Sequence, residues 1–488
     1  MVEAAADAEL ALVRPADKRT LAATAACAVL MDVAGQSRFP GLAGTILVAA
    51  TAACLLLSGR LVNRQAQFTS LLVPVFGLWL AVRTSPWLIV PDVLVVAGLL
   101  TVAASVAYRG ELFDLLLPKA IGRAIHGVLH LLAAPAFILR PLVVLLKDGR
   151  RARSIEVMAF IRGLVLAFPI VLTCGLLLGA GDVVFASFFP INIDVDAVTT
   201  HTVLLLTGAW GVSGLLRLAS ARPIALCRHP DRWRLGIVEV SVVLGALDLL
   251  FAVFALAQVV AMSGAASTVL RTAGLTYAEY ARSGFFQLLW VAAMTLVVLL
   301  VVHALVLVTV PWQRVALQVL GAVAALLTLA IVVVAVHRLV MYDTIFGLTM
   351  LRLYCIVFAG WIAVVFVILA CSFANVATSQ HQFLGSAVSA GLVILLVLNM
   401  VNPEAFVSGH NLTRPDVGRP IDTTYLGELS DDALPVLIDT LPLVSPATRQ
   451  EMVGHLCART RRTQQERTDW LSYNRATRLA AEARRTLC

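Results

Sequence analysis

The residue whose placement most invites chemistry is Asp248, at the centre of the apolar run "VLGALDLLFAVF". A carboxyl at the middle of a membrane span costs about 2.5–3.5 kcal/mol on insertion scales. Such an acid can relay protons, ligate a cation or contact a substrate. It can equally bond a neighbouring helix, and the sequence leaves both roles open. Gln258 closes the same run, and His303, in "VVHALV" of the next one, is a candidate partner. If the two runs pair antiparallel, Asp248 and His303 differ in depth by roughly 8 Å at the helical rise, so a direct bond between them is not expected.

A second polar group stands at the doorstep of that next run, in "GLTYAEYARSGFF". Tyr277 and Tyr280 are spaced to share one helix face, as are Glu279 and Arg282, which can pair. Tyrosines here suit a membrane-interface belt. The stretch is therefore an anchor for the following span, or a rim above a cavity that reaches Asp248. A binding site would draw on Asp248, Gln258, His303, Tyr277, Glu279, Tyr280 and Arg282.

Other chemistries lack their parts. No GxxxxGK[ST] loop, GxGxxG turn, HExxH or GxSxG is present, so the phosphate-binding and hydrolytic motifs are missing. No catalytic residue, metal ligand set or cofactor is assigned, and the reading leans away from an enzyme. His126 and His130 in "HGVLH" have metal-ligand spacing but no nearby carboxylate. Five of the eight cysteines lie inside apolar runs and none forms a CxxC pair, so no disulfide framework is expected.

The elements that must position these residues are membrane helices. Of 488 residues, 60% are hydrophobic and 14% charged, against about 25% charged in soluble domains. The mean hydropathy is +0.91. Repeated apolar runs of about 20 residues make the chain an all-α, polytopic helical membrane bundle. The net charge of +8 is carried mostly by arginines in the loops, where they meet anionic lipid headgroups; no nucleic acid is expected as a partner.

About eleven spans are expected by length: near 21–34, 42–58, 69–83, 86–107, 157–180, 199–219, 236–260, 285–310, 314–336, 353–373 and 383–401. Segment 108–156 is basic and interrupted, and is expected to lie in the interface. Residues 1–403 form the transmembrane domain. Residues 404–488 form a polar, helical tail with a helix start at Ser430, followed by Asp431 and Asp432 on the positive end of the dipole. Loop arginines place the N-terminus and segment 108–156 in the cytoplasm, and eleven spans put the tail outside.

Several motifs are familiar. "GLTYAEYARSGFFQLLWVAA", "YDTIFGLTMLRLY", "LNMVNPEAFVSGHNLTR", "IDTTYLGELSDDALPVL" and "DWLSYNRATR" occur in order, after "LLLGAGDVVFASFF" and "LGALDLLFAVFALAQ". Together they resemble the bacterial family catalogued as domain of unknown function 4173, from about residue 157 to the end. The approach to the Gly-Leu-Thr element, "HRLVMYDTIF", is less polar than that resemblance implies. The resemblance implies a bacterial inner-membrane protein and supplies no activity. The first functional expectation is a transporter or channel-like protein with its polar site near Asp248. The alternative is a scaffold or signalling partner that binds another protein through the tail. An intramembrane enzyme acting on lipid or envelope precursors ranks third.

Overall fold

The computed structural model describes residues 16–37, 39–107, 117–135, 137, 195–221, 235–260, 285–306, 310–373, 382–413, 421–463 and 469–487. Among these the fold is helical, with a single isolated bridge between Leu235 and Val306. The first helices are α1 (Lys18–Gln36), α2 (Leu42–Leu57), α3 (Arg64–Gly77), α4 (Pro86–Ser105), α5 (Leu117–Leu132) and α6 (Val195–Ser220). Then come α7 (Ile237–Val260), α8 (Phe285–Leu305), α9 (Pro311–Phe346), α10 (Met350–Phe373) and α11 (Phe383–Val401). The tail holds α12 (Pro403–Thr413), α13 (Thr423–Glu428), α14 (Leu434–Thr440), α15 (Pro446–Thr463) and α16 (Arg475–Leu487).

Seven of the described helices, α4 and α6 through α11, are long and apolar enough to cross a membrane. Their outward residues, such as Leu249, Val253 and Leu256 of α7, are exposed. Large apolar side chains in that position face lipid, where all backbone groups must bond within the helix. The chain is a multi-pass membrane protein. Three expected spans take other forms. α1, at the expected 21–34, carries Lys18, Arg19 and Asp32 and is not among the helices apolar enough to cross. α2 is apolar but has only 16 residues. The expected span at 69–83 is α3, which carries Pro74 and gives way to a 3-10 turn at Leu78–Ala81. The expected span at 157–180 lies outside the described residues.

Two bundles share α11. Leu395 of α11 packs into a core built by α1, α2, α3, α4 and α6. Phe383 and Ala387, at the other end of α11, belong to a core built by α7 to α10 around Phe366. Small residues set the closest approach. A Cβ on Gly208 of α6 would lie 2.6 Å from Met31 Cβ and 3.0 Å from Ala28 Cα of α1, whereas one on Gly211 would meet nothing within 4 Å.

Contacts between helix ends fix which ends lie together. Arg60, just past α2, donates to Ser220 Oγ at the end of α6 and to Thr20 Oγ1 of α1 at 2.8 Å. Asp17 lies 3.8 Å from the same guanidinium. Leu235 N donates to Leu305 O at 3.0 Å, joining the start of α7 to the end of α8. At the opposite ends, Tyr354 Oη of α10 donates to Trp87 O of α4 at 2.5 Å. There too, Leu42 N at the start of α2 donates to Tyr473 O of the tail at 2.9 Å. One end of the bundle thus collects Lys18, Arg19, Arg60, Arg64 and Arg217, and the tail covers the other. Within the tail, Cys457 of α15 is disulfide-bonded.

Candidate functional site

Asp248 sits on the side of α7 that carries Leu244 and Phe251, one turn to either side, and all three are buried. It is 8% exposed, and among the described residues neither carboxyl oxygen has a hydrogen-bond partner. Gln258 lies ten residues further along α7, roughly 15 Å away at the helical rise. Its Oε1 accepts from Arg338 Nη2 of α9 at 3.2 Å. His303 lies in α8, with its side chain outside the described set, and Tyr277, Glu279, Tyr280 and Arg282 fall outside the described residues. The described candidates therefore do not converge: Asp248 stands in the middle of α7, and Gln258 belongs to the end facing the tail.

Among the described residues a dense polar constellation lies where the tail meets the bundle, and it begins with the turn Arg83-Thr84-Ser85. Pro86 opens α4 and Ser85 is its cap, but no side chain of the helix's own end bonds there. The free N–H groups are taken from far away: Asp432 Oδ2 accepts from Thr84 N at 2.6 Å and Ser85 N at 2.8 Å. The Ser85 hydroxyl turns instead to Glu404, donating to Oε1 at 2.6 Å.

Glu404 is put there by a sharp reversal. Asn402 ends α11 in a left-handed conformation, φ 58°, and Pro403 starts α12. Glu404 is then 2% exposed. Its Oε2 accepts from Ser430 N at 2.7 Å and Ser430 Oγ at 2.5 Å. Burial pushes this carboxyl above its ordinary range, and the serine hydrogen bonds oppose that without cancelling it. Arg83 completes the junction. It donates to Asn399 O at 2.9 and 2.5 Å and to Asp432 Oδ1 at 3.3 Å. Asn474 Nδ2 donates to the carbonyls of Leu80 and Arg83.

Ser430 is therefore not the helix cap the sequence suggests. α14 starts at Leu434, behind Ala433, with no side-chain cap. Asp431 pairs with Arg484 of α16 at 2.6 Å, and Asp432 reaches the start of α4. Their distant donors satisfy these acids better than a local helix end would.

Beside the junction, the link between α9 and α10 turns at Gly347, whose φ of 81° favours glycine. Asn411 of α12 bonds both backbone groups of Leu348. Tyr425 Oη accepts from Met350 N at 2.7 Å. Leu348 and Met350 join the apolar core of the tail. Between tail and bundle lies a cavity of about 670 Å³, lined among others by Trp87, Met350, Glu404, Tyr425, Glu428 and Ser430. Small-molecule sites run to about 300–1,000 Å³. Its acids and hydroxyls favour a neutral or cationic group.

Sequence reasoning missed this junction, yet its residues were on the page. Apart from Arg83, Thr84, Ser85, Trp87 and Arg484, they come from "YDTIFGLTMLRLY", "LNMVNPEAFVSGHNLTR", "IDTTYLGELSDDALPVL" and "DWLSYNRATR", four separate motifs that the fold gathers at one end of the bundle. Among the described residues no three His, Cys, Asp or Glu side chains converge to hold a metal ion.

A family model described as domain of unknown function, DUF4153, matches residues 70–440, more than half of the 488-residue chain. The match corrects the expected family number, 4173, and agrees that the domain is one without an assigned activity. No curated protein and no solved structure matches the chain.

Proposed function

We infer that this chain, which belongs to the DUF4153 family, is a transport-type protein of a bacterial cytoplasmic membrane with Asp248 as its ionisable centre. One observation carries the reading: a buried carboxyl in the middle of α7 with neither oxygen hydrogen-bonded. Acids inside membrane spans are costly and mark ion or proton paths. A carboxyl without protein partners is one whose proton or cation can exchange. The ends of α7 and α8 that the connecting chain joins lie on the face covered by the tail. That supports Tyr277, Glu279, Tyr280 and Arg282 as a rim on the same face as Gln258 and the junction cavity.

The proposed threading puts the end that collects Lys18, Arg19, Arg60, Arg64 and Arg217 in the cytoplasm, against anionic headgroups. The tail, 404–488, then lies outside. The disulfide at Cys457 supports this, since disulfides persist in oxidising compartments. An impermeant thiol reagent applied to intact cells should label Leu443→Cys in the tail and spare Arg64→Cys. The reverse pattern overturns the orientation.

The transport reading is tested in liposomes containing the purified full chain and an internal pH dye, under an imposed pH gradient. Wild type should dissipate the gradient faster than protein-free vesicles, and Asp248→Asn should not. Equal rates for wild type and Asp248→Asn remove Asp248 from the mechanism. A second reading, docking of a protein partner on the tail, is supported by Leu443 and Trp470, which are 70% and 68% exposed on an otherwise polar segment. In a strain impaired by deletion of the gene, Leu443→Glu with Trp470→Ser should then fail to complement although the protein is made and folded. Full complementation by that variant discards the second reading.

A further inference from the structure

Asp92 of α4 and Asn399 of α11 face each other with no exposed surface on either side chain. Asn399 Nδ2 donates to Asp92 Oδ1 at 3.0 Å and to Leu395 O at 3.1 Å. Those two bonds use both amide hydrogens and fix the amide's orientation. Turning it over would set its oxygen against two acceptors. One oxygen then remains on each group, Asp92 Oδ2 and Asn399 Oδ1, and neither has a partner among the described residues. Both are acceptors, so no rearrangement of the existing hydrogens can satisfy them. An ionised carboxylate with an orphaned oxygen, buried away from any cation, is the costly alternative.

The charged surroundings offer it no relief. Arg83, the nearest guanidinium in the network, is spent on Asn399 O and Asp432. Tyr354 of α10, whose hydroxyl is bonded to Trp87 O, interacts with Asp92, and Glu404 of α12 interacts in turn with Tyr354. Both would be negative if ionised. Arg217 of α6 lies at the opposite end of the bundle, on His130.

We propose that Asp92 and Asn399 form a buried proton-binding site, in which Asp92 holds a proton on Oδ2 and donates it to Asn399 Oδ1. One proton satisfies both orphaned oxygens at once and closes a reciprocal acid–amide pair between α4 and α11. The main chain of Asn399 is gripped by Arg83, which also holds Asp432 of the tail. Loss of the proton leaves an unpaired anion at the root of the tail junction, so occupancy of the site is tied to the docking of the tail. The site is separate from Asp248 and stands whether or not the transport reading does.

Infrared spectroscopy of the full chain in detergent at neutral pH tests this. Wild type should show the C=O stretch of a protonated carboxyl that is missing in Asp92→Asn and retained in Asp248→Asn. Asp92→Asn should keep a thermal midpoint near wild type, because an amide can donate to Asn399 Oδ1 and accept in return. Asp92→Leu and Asn399→Leu should both lower it. If Asp92→Asn does not purify, Asn399→Ser decides the matter: its carboxyl band should move toward that of a less strongly bonded acid. An Asp92→Asn spectrum with no band lost overturns the proposal. So does a wild-type band that appears only when sodium is removed, which would make the ligand a cation.

Discussion

Asn411 bonds both main-chain groups of Leu348, which precedes it by 63 residues: Nδ2 donates to Leu348 O at 2.7 Å, and Leu348 N donates to Oδ1 at 2.8 Å. The amide substitutes for a strand neighbour at a buried turn that has none. Asn411→Leu leaves both groups of a buried peptide unpaired, each costing about 1–3 kcal/mol. The thermal midpoint of the purified chain should fall. Asn411→Asp should also fall, since it keeps the acceptor and loses the donor. Unchanged midpoints for both would mean that water serves these groups equally well.

Asp431 and Arg484 are the tail's buried ion pair, at 2.6 Å and with both residues 8% exposed. Breaking such a pair from one side costs about 3–5 kcal/mol, whereas replacing both partners by apolar groups is often neutral. Arg484→Met should therefore destabilise the chain strongly, and adding Asp431→Leu should restore most of the loss. A double variant as unstable as the single one would show that the pair has a role beyond compensating its own burial.

The long apolar helices were legible because lipid imposes one rule on every span, a run of about 20 apolar residues. α11 was expected at 383–401 and forms Phe383–Val401, and α7 starts within a residue of its expected place. Only the first turn of α3 was hidden: the helix starts at Arg64, five residues before the expected 69, and Arg64, Gln65 and Gln67 keep that turn out of an apolar window. The junction was illegible for a different reason. Asp431 and Asp432 after a serine have the composition of a helix cap, and a local cap and a distant donor ask for the same residue types. Only the fold decides between them, and here it brings Thr84, Ser85 and Arg484 to the acids. Asp248 is the converse case: its burial was expected from depth alone, and what it binds is not written in its neighbours.

Gly208 and Gly211 look alike in "GAWGVSG", and the packing separates them. A side chain at Gly208 meets Met31 Cβ and the α1 backbone, while one at Gly211 finds open space. Gly208→Ala should cost about 1–3 kcal/mol as an overpacked contact between α1 and α6. Gly211→Ala should be neutral or slightly stabilising, since alanine favours the helix. Unfolding midpoints of the two variants, measured in one detergent, check the ordering. Equal losses at both positions would mean that α1 and α6 are not packed at this distance.

Glu404 gives the junction a pH dependence whose sign follows from its burial. The carboxyl is raised above its ordinary 4.5, first by desolvation and last by the charge of Asp432, against the hydrogen bonds from Ser430 and Ser85. A group whose folded-state value is raised favours its protonated form in the fold. Its contribution to stability is complete below the unfolded value and is lost as the pH rises through the folded value. Protonated Glu404 can still bond, because the Ser85 and Ser430 hydroxyls accept as well as donate. The purified chain should therefore lose thermal stability as the pH rises above the ordinary glutamate range. Glu404→Gln keeps the shape and cannot ionise, so its midpoint should change less over that interval, and the two curves should diverge as the pH increases. Glu404→Leu should be less stable at every pH, because Ser85 and the Ser430 N–H lose their acceptor. Parallel curves for wild type and Glu404→Gln would show that Glu404 titrates in the junction as it does in the unfolded chain.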